Sequence, residues 1–176
     1  MGNYDTAQVC LNGHVINSSA NRNPEFNQKF CDKCGSETIT NCQKCDTPIK
    51  GEYHVDGVIA LGHQYTPPSY CYNCGNAFPW LQTALDSAKE LLDIDENIND
   101  DDKELLINSM KEISKDSPKT EVNALKIKKI AKKLGSDTYD AFIKIAVDVG
   151  TEIAKKALQG VWHLTKYWRE ISHPSG

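Results

Sequence analysis

The amino-acid sequence predicts an α+β protein in which a small ribbon of short antiparallel hairpins precedes an all-α region of four to five helices. Two observations predict this class. All seven cysteines lie before residue 75, and short β-prone runs separate them. From Pro79 onward there is no cysteine, and apolar residues recur at helical spacing. We therefore predict two domains, a cysteine-rich ribbon at residues 1–78 and a helical region at residues 79–176.

Four short runs in the first domain favour β-strands: residues 14–17, 37–40, 52–61 and 69–74. Gly, Asn, Pro and Cys interrupt them, so hairpins built from them are too small to bury a sufficient core. A module of this kind usually needs a metal ion or disulfides in order to fold. The N-terminal sequence lacks the basic start and apolar run of a secretory signal, which favours a cytoplasmic protein with reduced thiols and a bound metal.

The cysteine spacing predicts two structural zinc sites. Tetrahedral Zn²⁺ takes four Cys or His ligands, and a Cys-x-x-Cys turn directs two thiolates to one side of the ion. Three such pairs supply six ligands, and CLNGH at residues 10–14 supplies two more. Sequential pairing leaves spacers of 16 and 25 residues, each long enough for a hairpin, while cross-braced pairing stays open. With sequential pairing, the predicted ligands are Cys10, His14, Cys31 and Cys34 at one site and Cys42, Cys45, Cys71 and Cys74 at the other.

The series CLNGHVIN, FCDKCG, CQKCDTPIKG and CYNCG resembles a bacterial double zinc ribbon. More closely, the first 80 residues are similar to a family of short bacterial proteins of unassigned function, which begin with a Tyr-Asp-x-Ala-x-x-Cys-x-Asn-Gly-His block. The resemblance implies zinc at the eight residues just named, and it brings no catalytic residue.

Two alternatives concern these sites. If His14 were only a surface histidine, three cysteines and a water molecule would form an open site of the kind that zinc hydrolases use. An iron–sulfur cluster needs four thiolates, which only the second set supplies. No nucleophile with an evident partner and no phosphate-binding glycine loop appears in the sequence. We therefore predict a non-enzymatic protein.

Helical periodicity and capping residues define the second domain. The first helix follows Pro79, the second is capped by Asn99 or Asp100, the third runs from a cap at Ser117 to a stop at Gly135, the fourth spans about residues 138–159, and a short fifth covers residues 161–171. The predicted apolar stripe of the third helix is Val122, Leu125, Ile127, Ile130, Ala131 and Leu134.

The fourth helix has an apolar face beside a row of small residues, Ala146, Gly150 and Ala154. Glycine inside a helix costs about 1 kcal/mol relative to alanine, so its presence indicates close approach of another backbone. That backbone belongs to an earlier helix of this chain, to a second copy or to a protein partner. The residues predicted to bind a partner or to mediate oligomerisation are Phe142, Ala146, Gly150, Ile153, Ala154, Trp162 and Trp168.

Charge is unevenly distributed: residues 1–78 have a net charge of −2, residues 79–117 of −7 and residues 118–176 of +5. The basic cluster of the third helix is the basis of an alternative function, a nucleic-acid-binding regulator. No apolar stretch is long enough for a membrane span. The sequence favours a zinc-binding interaction or adaptor protein. The lysines that would bind nucleic acid in the alternative function are Lys126, Lys128, Lys129, Lys132 and Lys133.

Overall fold

The computed structural model describes residues 2–55, 57–58 and 65–159. The chain forms two compact units, Met1–Thr83 and Ala84–Gly176. Within the described residues, short antiparallel strand pairs precede five helices, which confirms the predicted α+β class. The predicted domain bounds, 1–78 and 79–176, stay a prediction.

In the described part of the first unit, five short strands form two antiparallel sheets. One sheet pairs β1 with β5, and the other has the order β3-β2-β4. Because β1 and β5 are distant in sequence, their pairing closes most of the unit into one loop. The strands are β1 (Asn3–Thr6), β2 (Gln8–Cys10), β3 (Val15–Asn17), β4 (Thr38–Ile39) and β5 (Lys50–His54).

Two of the four predicted strands, at 14–17 and 37–40, correspond to β3 and β4. The run at 52–61 corresponds to β5, which starts two residues earlier, and part of that run lies outside the described residues. The run at 69–74 was wrongly predicted as a strand, because it forms only a bridge between Tyr70 and Ala77 around a cysteine turn. The sequence analysis missed β1 and β2.

A β-bulge in β5 decides which side chains share a face of the first sheet. Tyr4 faces Tyr53, and Thr6 faces Lys50, so β5 has one residue more than β1 between these two pairs. The extra residue turns Lys50 to the same side as Tyr4. A Cβ atom on Gly51 would lie 2.3 Å from the Ser18 carbonyl oxygen, so only glycine fits within the bulge.

The core of the ribbon unit is small, and it includes two cysteines. Ala7, Val9, Ile49 and Phe78 are buried together with Cys42 and Cys71. The Trp80 ring stacks on Phe78 with centroids 4.6 Å apart. A core of this size leaves the fold dependent on additional cross-links.

Amphipathic helices build the second unit, in which α2 packs against α3 and α4, and α5 packs against α3 and α4. The predicted cap of α2 is confirmed, since the Asn99 side chain accepts a hydrogen bond from the Asp102 N–H at 2.9 Å. The helices are α1 (Pro79–Asp93), α2 (Asp100–Ile113), α3 (Thr120–Ala131), α4 (Ser136–Val149) and α5 (Glu152–Gln159). Their buried apolar residues include Leu106, Met110, Ile113, Ala124, Ile127, Phe142, Ile143, Ala146, Ala154 and Leu158.

Helix α3 begins later than its sequence predicts. The Thr120 hydroxyl accepts a hydrogen bond from the Ser117 N–H and donates one to the Lys115 carbonyl, which makes a turn of the residues expected to start the helix. The buried face is also rotated from the predicted stripe. Val122 and Leu125 are 53% and 54% exposed, while the shorter Ala124 is fully buried.

The predicted fourth helix, 138–159, is two helices. Gly150 has an extended conformation (φ −71°, ψ 148°) and ends α4, and the Thr151 N–H donates to the Ile113 carbonyl at 2.9 Å instead of continuing the helix. A Cβ atom on Gly150 would lie 3.0 Å from the Ala146 carbonyl oxygen and 3.1 Å from Ala154 Cβ. The close approach that the glycine indicated is therefore made within this chain, at a break between helices.

No helix among the described residues is long and apolar enough to cross a lipid bilayer. The predicted fifth segment at 161–171 lies outside the described residues.

Candidate metal centres

The three Cys-x-x-Cys turns share one backbone geometry. The residue before each first cysteine forms a β-bridge with the residue three after the second cysteine. The N–H of the residue after the second cysteine donates to the carbonyl of the first, at 2.8 or 2.9 Å, and this residue has positive φ. It is Gly35 in the first turn, Asp46 in the next and Gly75 in the last, with φ of 70°, 56° and 69°. Such a turn aims both thiols at one point.

The remaining half-site, Cys10 to His14, is a tighter turn. Gly13 has φ of 87° and donates its N–H to the Cys10 carbonyl at 2.9 Å. The His14 N–H lies 3.3 Å from the Cys10 sulfur, to which it donates. Trp80 covers the outside of this turn, where a Cβ atom on residue 13 would lie 2.9 Å from its Cβ atom. The turn therefore brings the thiol and the imidazole to the same side.

The structure gathers the eight predicted ligands into two groups in the sequential pairing, and the candidate ligand atoms of each group lie within 4.8 Å of one another. In the first group, His14 Nδ1 is 3.6 Å from the sulfur of Cys10 and 3.5 Å from that of Cys31. The Cys10 and Cys34 sulfurs are 3.8 Å apart. His14 thus lies within the group. The alternative of an open site made of three cysteines and a water molecule assumed that His14 lies apart from them, and this position does not support it.

The second group contains four cysteines. The sulfurs of Cys42 and Cys74 are 3.8 Å apart, and those of Cys45 and Cys71 are 3.6 Å apart. Cys42 and Cys71 are each 3% exposed, whereas Cys74 reaches the surface. The cysteines are free thiols rather than disulfides.

These separations fit a single tetrahedral ion. Zinc–sulfur bonds of about 2.3 Å place two sulfurs of a tetrahedron about 3.8 Å apart, and a zinc–nitrogen bond of about 2.05 Å places nitrogen about 3.6 Å from sulfur. The measured sulfur–sulfur and nitrogen–sulfur distances lie close to these edges in both groups. A cluster of several iron atoms would hold the thiolates further apart. Both groups can therefore hold one metal ion each.

Two asparagines that the sequence analysis missed contact the sulfurs from the facing turn. The Asn12 side-chain amide donates to the Cys34 sulfur at 3.5 Å, and that of Asn73 donates to the Cys45 sulfur at 3.7 Å. Each asparagine lies two residues after the first ligand of its own turn. A repeated Cys-x-Asn pattern in the sequence could therefore have identified both donors. Donors of this kind orient a thiolate and share its negative charge.

Hydrogen bonds favour the thiolate form at one cysteine of each group. Those from the Ser36 hydroxyl and backbone N–H lower the pKa of Cys34 to about 5. Those from the Thr47 hydroxyl and backbone N–H lower the pKa of Cys45 to about 6.

At Cys74 the effects that raise the thiol pKa exceed those that lower it. The Asn76 N–H lowers the pKa of this thiol, but burial and the neighbouring cysteines outweigh it and raise the pKa to about 11. Several thiolates this close repel one another, and a bound cation would offset that repulsion.

The residues predicted to bind a partner mostly lie inside the helical unit. Phe142, Ala146 and Ala154 are fully buried and Gly150 is also buried, whereas Ile153 is 46% exposed. These four buried residues pack within the unit and offer no surface to a partner. Trp162 and Trp168 lie outside the described residues.

Two of the five predicted nucleic-acid-binding lysines have partners within the helical unit. Lys128 donates to the Ala157 carbonyl at 2.9 Å, and Lys133 forms an ion pair with Asp102. The other three are exposed: Lys126, Lys129 and Lys132.

The model of a family described as "Uncharacterized protein conserved in bacteria (DUF2321)" matches residues 3–158 of the chain. No curated protein and no solved structure matches it.

Proposed function

The chain belongs to this uncharacterised bacterial family, and we propose that it is a non-enzymatic zinc-binding interaction protein whose two zinc ions are structural. The observation that supports a structural role is the completeness of both ligand sets. Each group presents four protein ligand atoms within 4.8 Å of one another. A tetrahedral ion held by four protein ligands keeps no position for water or substrate, as catalytic zinc requires.

The small core explains why this unit would need metal. Cys42 and Cys71 are themselves part of the buried cluster, so the ion would bind at the edge of the core and fix it. Zinc that binds only the folded chain adds its binding free energy to stability. The ribbon unit would then hold its surface loops rigidly.

The surface we propose for a protein partner, the tyrosine face, combines the exposed face of the sheet formed by β1 and β5 with one residue of the last cysteine turn. It is defined by Tyr4, Lys50 and Tyr53 on the sheet and Tyr72 in the turn. Its three tyrosines are 53–60% exposed. The Tyr4 and Tyr53 rings have centroids 4.9 Å apart. The Lys50 ammonium lies 4.9 Å from the Tyr4 ring centre and 4.7 Å from that of Tyr72.

Strand alternation places the acidic residues of β1 and β5 on the opposite side of the sheet from the tyrosines. Asp5 follows Tyr4 and has a side chain only 7% exposed, which contacts Arg22. Glu52 precedes Tyr53 and accepts a hydrogen bond from Ser18. Tyrosine is enriched at protein interfaces and among their binding hot spots, whereas lysine is depleted there, so the tyrosines rather than Lys50 carry the argument for an interface. The tyrosine face therefore suits a protein partner with an acidic group opposite Lys50.

Metal analysis tests the structural-zinc part. We expect purified protein to contain two zinc ions per chain and Cys42→Ser to contain fewer, with loss of ribbon structure and retention of helical circular dichroism. Lys44→Ser is the matched control, because Lys44 is an exposed residue of the same turn. Iron in place of zinc, or unchanged metal content in Cys42→Ser, would contradict the proposal.

Site-specific photo-crosslinking in the host tests the interaction part. A photoreactive residue at position 53 should trap a protein that is lost when Tyr72→Ala is added. The same residue at Leu125, which is 54% exposed in the helical unit, serves as control. Capture of the same proteins from both positions would exclude the tyrosine face as the specific surface, and capture of a second copy would identify a homo-oligomer.

A further inference from the structure

A cavity of about 440 Å³ lies on the helical unit, beside α4 and the end of α5. Four of its α4 residues, Asp140, Ile143, Lys144 and Val147, are spaced as one face of a helix. Ala141 and Gln159 complete the described lining. The described lining thus combines three apolar residues with one acidic, one basic and one amide side chain.

The chain itself continues from this cavity. Gln159 is both the last residue of α5 and part of the lining, so the described part of the chain ends at the cavity. A segment attached at that point is present at a high effective concentration and loses little additional entropy on docking. A separate molecule has no such advantage.

The sequence of residues 160–176 has the pattern that such a cavity would bind. Val161, Leu164, Trp168 and Ile171 recur at intervals of three, four and three residues, which is typical of one apolar face of a helix. Lys166, Arg169 and Glu170 lie between them and supply both signs of charge. These charges are complementary to Asp140 and Lys144.

We propose that residues 161–171 dock their apolar face into the α4 cavity of the same chain. With this docking, Trp162 and Trp168 would contact this chain rather than a partner. The proposal does not depend on the metal sites or on the tyrosine face.

Fluorine NMR of the full zinc-loaded chain, labelled with fluorotryptophan, tests this docking. Single Trp→Phe variants assign the resonances of Trp80, Trp162 and Trp168. We expect the Trp168 resonance to be shielded from a soluble paramagnetic agent at every protein concentration. Val147→Asp, which places a charge in the cavity, should increase its broadening several-fold toward that of the unfolded chain.

Val149→Asp is the matched control, since Val149 is also half-buried in α4 but does not line the described cavity. Ala141→Trp is a second test, because Ala141 is exposed and the larger side chain fills the cavity without disturbing the core. Shielding lost in both cavity variants and kept in Val149→Asp supports the proposal. Trp168 that is fully accessible in the unmodified chain, or unaffected by both cavity variants, overturns it. Shielding that disappears on dilution assigns the cavity to a second copy and also overturns it.

Discussion

At the scale of single residues, the backbone conformation of the residue after each Cys-x-x-Cys pair shapes the metal groups. Gly35 and Gly75 could be predicted from the sequence, because a turn after Cys-x-x-Cys favours positive φ. The equivalent position in the second turn is Asp46, the only non-glycine residue with positive φ in the described part of the chain. The Asn41 side chain donates to its carbonyl and its carboxylate, which holds this conformation. No spacing rule indicates such a compensation.

Gly51 supports a first prediction. We expect Gly51→Ala to destabilise the ribbon unit by about 3 kcal/mol, because the added Cβ meets backbone atoms that cannot move aside. Gly35→Ala is the comparison: its Cβ meets nothing within 4 Å, and its positive φ costs about 1 kcal/mol. Denaturant unfolding of both zinc-loaded variants measures the difference. Equal losses would show that the bulge is not the constraint.

At the scale of secondary-structure elements, apolar periodicity located the helices well, and it failed where tertiary contacts compete. The run from 138 to 159 has a continuous helical pattern, yet Gly150 and Thr151 interrupt it because Thr151 bonds to the end of α2. Strands β1 and β2 were missed because they are three or four residues long and stabilised by pairing with distant segments. Neither effect is visible within a local window of sequence.

The start of α4 depends on a distant carboxylate. Asp95 accepts hydrogen bonds from the Gly135 N–H at 3.0 Å and the Asn97 N–H at 2.8 Å. Burial alone would raise the pKa of this carboxyl. Hydrogen bonds, among them those from Asn97 and Thr138, outweigh burial and hold the pKa below its usual value.

A pH dependence follows from this lowered pKa. The contribution of Asp95 to the stability of the helical unit is fully present above about pH 4. It is lost as the pH falls through the pKa of Asp95 in the folded protein. Asp95→Asn should lower the stability of the helical unit by about 2 kcal/mol at pH 7, and its deficit should shrink toward pH 3. Urea unfolding followed by circular dichroism measures both, with the exposed neighbour Glu96→Gln as control. A deficit that is constant with pH would refute this role.

At the scale of the whole molecule, the two units differ in what stabilises them. Among the described residues of the ribbon unit, the buried apolar cluster has six members, two of which are cysteines. The helical unit buries apolar residues from every helix that it contains. The cysteine spacing was sufficient to predict both metal groups, since ligand chemistry imposes its own geometry. The tyrosine face was not predictable, because it depends on the bulge in β5.

Metal removal should therefore act on one unit. In hydrogen–deuterium exchange, we expect a zinc chelator to abolish amide protection in β1 to β5 and the cysteine turns, and to leave α2 to α5 protected. The same chelator saturated with zinc beforehand is the control. Uniform loss of protection would mean that metal stabilises the whole chain, and unchanged protection would mean that the ribbon needs no ion.

Trp80 touches both metal groups indirectly. Its Cβ atom lies against Gly13 in the turn that includes Cys10 and His14, and its ring stacks on Phe78, which shares a core with Cys42 and Cys71. One indole thus contacts a turn of the first group and the core that contains part of the second. If an ion at one group fixes the position of this ring, we expect it to order the other group as well. Loading would be cooperative, with intermediates of single occupancy scarce along a titration.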